Sequence, residues 1–403
     1  MDNCEVIKMS NQVIELFQPQ HTLIGQGAVG EIPRFLQGLN VSTVLIVTDT
    51  GLIKLGTAKL VTDVLDRGGV RYQMYDGVKP NPTVDIVNEA TAVFSKANCG
   101  AILAIGGGSA IDVAKAVSIL SANGGRIEDY NGMNKSKRPG TPVIAVNTTA
   151  GTGSEVTRAY VVTDEKIKSK MLMVDANCLA FLAIDDPDLM VGMPPKLTAA
   201  TGMDALTHAI EAYVSNVHFP YTDGIALEAI RLIAESLPRA VANGKDMEAR
   251  TNMCWAEYMA GLAFSNAGLG IVHSIAHQLG GYYNIPHGLA NAMLLPRVME
   301  YNRPYCVERM ADIAKAMGVK TDHLSAEEAS FAAIAVVRKL SETVKIGKLH
   351  ETNFSLGDLE ILADHALKDT STPTNPVQPS QKDVEEILAK TYIEGLIMAK
   401  MGK

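Results

Sequence analysis

Residues 101–120, AILAIGGGSAIDVAKAVSIL, decide the fold, because an apolar run passes through three glycines into a second apolar segment. Residues 101–105 are typical of a buried strand in a parallel sheet. Gly106, Gly107 and Gly108 then turn the chain, and Ser109 is expected to cap a helix that runs to about residue 120. Backbone N–H groups in such a turn can bind phosphate, although neither standard nucleotide fingerprint is present. Dinucleotide binding and a plain tight turn therefore both stay open.

Two other predicted strands end in polar residues. Asp49 follows an apolar run at 44–48, where its carboxylate can bond an adenosine ribose and repel a 2′-phosphate. The same aspartate can equally be a helix N-cap. Thr148 and Thr149 follow the run at 142–146 and begin a segment rich in glycine and hydroxyl groups. Ligands of α/β proteins bind at such strand ends, which favours a binding role for this segment.

Strand and helix patterns alternate in the first half of the chain, which predicts an α/β, Rossmann-like domain with a mostly parallel, doubly wound sheet. Strands are expected near residues 22–25, 44–48, 71–75, 101–105, 142–146, 160–164, 171–175 and 180–184. Helices are expected near residues 30–38, 52–67, 83–97 and 109–120. From about residue 197 the chain has a helical pattern throughout, with helices near 199–215, 222–242, 248–265, 270–281, 304–317, 325–344, 357–367 and 382–399. We predict a dinucleotide-binding domain at 1–195 and an all-helical, metal-binding domain at 196–403.

The helical half contains a candidate metal site. Asp204 and His208 stand four residues apart in GMDALTHAIEAY, so a helix presents both on one face. His273 and His287 follow in later segments. Three imidazoles and one carboxylate suit a borderline divalent ion and leave room for a substrate oxygen. A single histidine on an apolar helix is more often a packing residue, and His277, one turn after His273, leaves open which of the two binds metal.

The composition excludes several classes of protein. Of 403 residues, 47% are hydrophobic and 20% are charged, which indicates a folded chain of more than one domain. A net charge of −8 argues against nucleic-acid partners and anionic membranes. No apolar stretch reaches the roughly 18 residues of a membrane span, and the N-terminus does not resemble a signal peptide. The five cysteines show no paired spacing, so we expect free thiols and a cytoplasmic location.

Five segments carry a resemblance to a known family: GGGSAIDVAKA (106–116), NTTAGTGSEVT (147–157), MPPKLTAATGMDALTHAIEAY (193–213), FSNAGLGIVHSIAHQLGGYYNIPHGLANAMLLP (264–296) and TNP (374–376). In these segments the chain closely resembles the iron-containing, group III alcohol dehydrogenases. It is most similar to the branch of lactaldehyde reductase, 1,3-propanediol dehydrogenase and the bacillus-type methanol dehydrogenases.

The resemblance implies a metal-dependent, NAD-linked enzyme that interconverts short primary alcohols or diols and aldehydes by hydride transfer. It implies Fe(II) as the metal, although such ligands also accept Zn, Ni or Mn. It implies that the metal ligands are Asp204, His208, His273 and His287, with His277 near the metal and not bound to it. The implied cofactor-binding residues are Asp49, Asn81, Gly106, Gly107, Gly108, Ser109, Asp112, Thr148, Thr149, Lys170 and Leu189. His277 and Lys170 are candidate catalytic residues, and we also expect a homodimer or higher homo-oligomer.

Other functions fit the sequence less well. A lyase of the dehydroquinate-synthase type would also use NAD and a metal, but its anionic substrate would need more basic residues than the segment 197–300 offers. A metallohydrolase would have no use for the glycine turn or Asp49. A binding protein without enzymatic activity would have no reason to keep four metal ligands.

Overall fold

Strands of mainly aliphatic and β-branched residues build a six-stranded parallel sheet in the first half of the chain. The structure, a computed structural model, describes residues 13–166 and 169–401. The strands of this sheet are β1 (His21–Ile24), β2 (Thr43–Val47), β3 (Arg71–Tyr75), β4 (Ala101–Gly106), β6 (Val143–Asn147) and β9 (Leu182–Asp185). They have the order β1-β9-β6-β4-β2-β3, and all neighbouring pairs are parallel. The predicted parallel sheet is confirmed.

The described residues of this half also form a second sheet, which has three strands. It consists of β5 (Gly132–Met133), β7 (Ala159–Asp164) and β8 (Ser169–Val174), in the order β5-β8-β7. The strands β7 and β8 pair antiparallel, because the residues between them in sequence are too few for the crossover that a parallel pair needs. The sequence analysis found β7 and β8 but did not separate them from the main sheet.

Five α-helices accompany the sheets in the part of this half that the structure describes. They are α1 (Ile32–Gly38), α2 (Thr50–Leu55), α3 (Thr57–Arg67), α4 (Val84–Lys96) and α5 (Gly108–Asn123). The helix expected at 52–67 is divided in two, because Gly56 adopts a left-handed conformation with φ of 82° that ends α2. The expectation that Ser109 caps the helix after β4 is wrong. Gly107 is the N-cap of α5, and Ser109 already lies in its first turn.

The main sheet is buried on both faces. On β2, Leu45 and Val47 belong to one apolar cluster, whereas Val44 and Ile46 belong to another on the opposite face. Successive side chains of a strand point to opposite faces, so this division requires helices on both sides of the sheet. This burial on both faces explains why the strand sequences are continuous apolar runs.

All regular secondary structure in the described residues after Pro194 is helical. They are α6 (Pro195–Val214), α7 (Pro220–Ala242), α8 (Met247–Ala267), α9 (Ile271–Tyr283), α10 (His287–Asn302), α11 (Val307–Ala316), α12 (Ala326–Thr343), α13 (Leu359–Leu367) and α14 (Gln381–Met401). The helix α6 is buried on almost its whole circumference, since α7, α8 and α10 all pack against it. The sequence analysis gave no helix at 287–302, where Pro296 stands in the helix interior and obscures the pattern.

The described residues divide into two compact units. One is Phe17–Met193, and the other consists of residues 13–16 together with the chain from Pro194 onward. We keep the domain limits 1–195 and 196–403 as a prediction. In the described parts of the chain, no single helix has the length and apolar composition of a membrane span. The pair α8 and α9 meets those two criteria only when taken together, across a bend of 102°.

Candidate metal centre and cofactor-binding residues

The helix α6 places two candidate ligands on one face. Asp204 and His208 are separated by four residues, slightly more than one helical turn, and both side chains are buried. A helix that is buried all round seldom carries charged groups without a partner, because an uncompensated charge in the interior is costly. A buried aspartate beside a buried histidine therefore indicates a functional site or a specific internal pairing.

Two further helices bring their histidines to the same place. His273 lies in the first turn of α9, and His287 is the first residue of α10. One potential ligand atom from each of Asp204, His208, His273 and His287 lies within 4.8 Å of the others. The Nε2 atoms of His273 and His287 are 4.0 and 3.7 Å from Asp204 Oδ1. The four groups are close enough to face a single ion.

The protonation of these groups also suits a cation. Burial raises the pKa of Asp204 to about 7, although a hydrogen bond from Asn291 works against this rise. Burial lowers the pKa of His273 well below its usual value, so that its imidazole is neutral at pH 7. A neutral imidazole offers a lone pair, and a divalent ion would offset the cost of burying the Asp204 carboxylate. Three nitrogen donors and one oxygen donor without a nearby thiolate match iron and similar ions.

In the α/β unit, the predicted cofactor-binding residues follow four adjacent strands. Asp49 follows β2, the turn 106–109 follows β4, Thr148 and Thr149 follow β6, and Leu189 follows β9. These strands are consecutive in the sheet and parallel, so their carboxyl ends share one edge. That edge is where ligands of open α/β sheets bind.

The glycine turn packs directly against the threonine-rich segment. The pairing of Gly106 with Asn147 in the β4–β6 register sets the two side by side. A Cβ atom on Gly107 would lie 2.9 Å from Thr149 Oγ1, and one on Gly108 would lie 3.2 Å from Ser154 Oγ. The approach at Gly107 is too close for a larger residue unless Thr149 shifts, so glycine is favoured there by packing, whereas its φ of −83° suits any residue.

Asp49 and three more predicted residues (Asn81, Asp112 and Lys170) have polar or electrostatic partners in the same unit. Asp49 caps α2, since its Oδ1 accepts from the N–H groups of Gly51 and Leu52 at 2.7 and 3.0 Å. Lys170 Nζ, on β8, donates to Asn81 Oδ1 at 2.8 Å. Desolvation raises the pKa of Asp112, on α5, to about 7, although Lys115 opposes the rise. Asp49 thus has the capping role that the sequence left open, and its Oδ2 makes no hydrogen bond with the described residues.

Comparison with known proteins places these features in one family. Residues 19–187 match the model of the iron-containing alcohol dehydrogenases, and residues 198–392 match the C-terminal model of the Fe-containing alcohol dehydrogenase family. The chain belongs to the iron-containing alcohol dehydrogenase family. The resemblance deduced from the sequence motifs is confirmed.

Several members of this family are similar over nearly their whole length. Alcohol dehydrogenase 4 of Schizosaccharomyces pombe is 45% identical over 93% of this chain and 88% of its own. The NAD-dependent methanol dehydrogenase of Bacillus methanolicus is 43% identical, over 92% and 98% of the two chains. A crystal structure of 1,3-propanediol oxidoreductase superimposes with a TM-score of 0.93 at 41% identity, over 94% of this chain and 100% of that one.

The other histidine of α9 stands outside the group of four in this iron-containing dehydrogenase chain. His277 Nδ1 is 2.8 Å from Asp369 Oδ2, and the His277 ring stacks on His287 with 5.4 Å between centroids. Its side chain is 29% exposed, whereas that of His273 is 1% exposed. His277 is therefore a neighbour of the candidate centre with its own carboxylate partner.

Three polar residues near the candidate ligands were not found from the sequence. Asn291 Nδ2 is 2.6 Å from Asp204 Oδ1 and also contacts the Nε2 atoms of His273 and His287. Glu211 contacts His273, and Asp369 contacts His277 as described above. A sequence signal exists for two of them: Glu211 follows His208 by three residues, and Asn291 follows His287 by four, so each shares a helix face with a candidate ligand.

Proposed function

We propose that this protein is a metal-dependent, NAD-linked alcohol dehydrogenase that interconverts short primary alcohols or diols and aldehydes by hydride transfer. The observation that carries the proposal is the convergence of four ligand atoms from α6, α9 and α10 in a member of the iron-containing alcohol dehydrogenase family. The named relatives above act on small alcohols or diols according to their names. We extend that substrate class to this chain.

The proposed metal ligands are Asp204, His208, His273 and His287. Fe(II) is the ion that we propose, with Zn, Ni or Mn as ions that the same donor set accepts. When bound, such an ion acts as a Lewis acid toward the substrate oxygen. The burial of three of the four side chains keeps water from most of the centre, which strengthens electrostatic interactions there.

We propose that His277 exchanges the proton of the substrate hydroxyl. The Asp369 carboxylate holds Nδ1 of the ring at 2.8 Å, so Nε2 is the atom that can take up or release a proton. A partly exposed position gives the ring a route for proton exchange with solvent, which the fully buried His273 lacks.

We propose NAD as the hydride carrier. The turn 106–109 at the start of α5 would bind its phosphates through backbone N–H groups. Asp49 would bond the adenosine ribose, and Lys170, held by Asn81, would orient the nicotinamide side. Asp112, Thr148, Thr149 and Leu189 complete the proposed contacts. The NAD-dependent relative from Bacillus methanolicus supports this choice of cofactor.

No finding favours a lyase of the dehydroquinate-synthase type, since the relatives compared above carry the names of alcohol or diol oxidoreductases. As partners we propose small alcohols or aldehydes and further copies of the same chain in a homodimer or higher homo-oligomer. We propose a cytoplasmic location and no nucleic-acid or membrane partner, for which the net charge of −8 and the absence of a paired cysteine spacing in the sequence are the support.

The test is a reduction assay on protein loaded with a defined metal. With NAD and C1–C4 alcohols or diols we expect absorbance at 340 nm to rise, and with NADH and lactaldehyde we expect it to fall, in both cases only when the metal is present. His273→Ala should lose bound metal and most activity but keep NAD binding. The control His323→Ala, which changes an exposed histidine in a turn, should behave as the wild type. Full metal content and full rate in His273→Ala would contradict the ligand assignment, and no turnover of any of these substrates would contradict the function.

A further inference from the structure

A buried carboxylate stands behind one of the candidate metal ligands. Glu211 is 2% exposed, and its Oε2 is 2.5 Å from Nδ1 of His273. Its other oxygen, Oε1, accepts a hydrogen bond of 2.7 Å from the backbone N–H of Val272. One side chain of α6 therefore contacts both the ring of His273 and the backbone that carries it.

The position of Glu211 follows from the helix that it shares with two candidate ligands. It comes seven residues after Asp204 and three after His208, which places all three on one face within two turns of α6. The first turn of α9 lies near this face, so His273 faces Asp204 with Nε2, at 4.0 Å, and Glu211 with Nδ1, at 2.5 Å. The two nitrogens of the His273 ring thus have different partners, one a candidate ligand and the other Glu211.

The start of α9 makes this buried acid possible. Backbone N–H groups of Gly270, Val272 and His273 face the Glu211 carboxylate at this helix end. The N-terminal end of a helix favours a carboxylate through these N–H groups. At Gly270 a Cβ atom would lie 2.8 Å from Glu211 Oε1, so the carboxylate fits closely against the backbone.

A neutral imidazole carries a single N–H, and its position decides whether the ring can bind metal. A carboxylate at Nδ1 accepts that N–H and leaves the lone pair on Nε2. If the proton were on Nε2, an N–H would point toward Asp204 in place of a lone pair. The tautomer of His273 is therefore set by the group that its Nδ1 contacts.

We propose that Glu211 is a positioning residue of the metal centre, which fixes His273 in the Nδ1–H tautomer so that Nε2 faces the ion. This inference rests on the proposed function, in which His273 is a metal ligand. It adds a residue that contacts neither the ion nor the substrate and acts through His273 alone.

The test compares isosteric and structural variants by metal affinity. In Glu211→Gln the amide can still accept from Val272, but its NH2 group donates to Nδ1 and moves the ring proton to Nε2. We expect the affinity of metal-depleted protein for Zn(II), measured by competition with a chelator, to fall about 10- to 100-fold. The visible spectrum of the Co(II)-loaded variant should change, because one nitrogen donor is lost.

Asn375→Ala is the matched control. Asn375 Oδ1 accepts from the N–H of Ile271 at the same helix end, but Asn375 does not contact His273. This variant should lower thermal stability and leave the Zn(II) affinity of the folded protein and its Co(II) spectrum unchanged. If Glu211 serves only to cap α9, the two variants should instead have similar metal affinity.

A second measurement needs no variant and remains decisive if Glu211→Gln does not fold. In the Zn(II)-loaded wild type with 15N-labelled histidine, NMR should show His273 with its proton on Nδ1 in a strong hydrogen bond. Zinc on Nδ1, or unchanged Zn(II) affinity and Co(II) spectrum in folded Glu211→Gln, would overturn the inference and leave the proposed function intact. Wild-type protein that binds no metal would overturn both.

Discussion

Replacement of Asp49 by asparagine separates two roles that one carboxylate has in the proposed cofactor site. Its Oδ1 caps α2 through Gly51 and Leu52, and Oδ2 makes no hydrogen bond with the described residues. Asparagine is as good an N-cap as aspartate, so Asp49→Asn should keep the helix and remove only the charge. Asp49→Ala removes both, at a cost of about 1 kcal/mol in stability.

The size of the charge effect follows from electrostatics. Two unit charges about 5 Å apart repel by about 3 kcal/mol at an effective dielectric constant of about 20. Asp49 is partly exposed, so screening by solvent reduces this value. An effect of about 1–2 kcal/mol corresponds to about 5- to 30-fold in the ratio of kcat/KM for NADP to that for NAD.

The assay is steady-state kinetics with both cofactors on the wild type, Asp49→Asn and Asp49→Ala, together with thermal unfolding. We expect the NADP-to-NAD ratio to rise by a similar factor in both variants and Tm to fall only in Asp49→Ala. A ratio that changes only in the alanine variant would assign the effect to the lost cap. A wild type that already prefers NADP, or an unchanged ratio in both variants, would refute the reasoning.

Three further predictions concern the two units separately. Gly288→Ala would place a Cβ 2.6 Å from a backbone oxygen of α6, so we expect about 1–3 kcal/mol lower stability and less bound metal by elemental analysis. Gly281→Ala, where a Cβ meets nothing within 4 Å, should keep its metal and lose no stability. His277→Ala should keep its metal but have a lower kcat; an unchanged kcat would make His277 a packing residue. Burial raises the pKa of Asp112 to about 7, so the stability that its protonation confers is present below about pH 4 and is lost as the pH rises to 7. Asp112→Asn should therefore gain stability relative to the wild type between pH 5 and pH 8 in urea unfolding, whereas the exposed control Asp66→Asn should not.

The cofactor edge was predictable because it depends on local signals. Continuous apolar runs gave β2, β4 and β6, and the residues that follow each run had to share an edge once the strands were parallel. Strand order was not predictable in this way, since it depends on which distant runs pair. The glycine turn and the segment 147–157 are neighbours because of the β4–β6 register, a contact between residues about 40 positions apart in sequence.

The metal region was predictable only in part. The spacing of Asp204 and His208 is a property of one helix, so it could be deduced from the sequence alone. Asn291 and Glu211 were not predicted, because amides and acids on a helix are usually exposed. Their burial depends on which other helices pack against their own, and the sequence does not show that. The helix α10 was missed altogether, although it carries His287 as its first residue.

His273 and His277 show most directly what the sequence lacked. They are one turn apart on α9, and each has a carboxylate at Nδ1, so neither spacing nor partner type distinguishes them. The partners come from positions 62 and 92 residues away, on different elements of the chain. Glu211 shares its helix with Asp204, so the His273 ring that Glu211 contacts also faces the buried Asp204 carboxylate. The ring that Asp369 contacts, that of His277, remains partly exposed. A carboxylate contact orients a histidine, but the burial of the other ring nitrogen decides whether that orientation suits a metal ligand or a proton carrier.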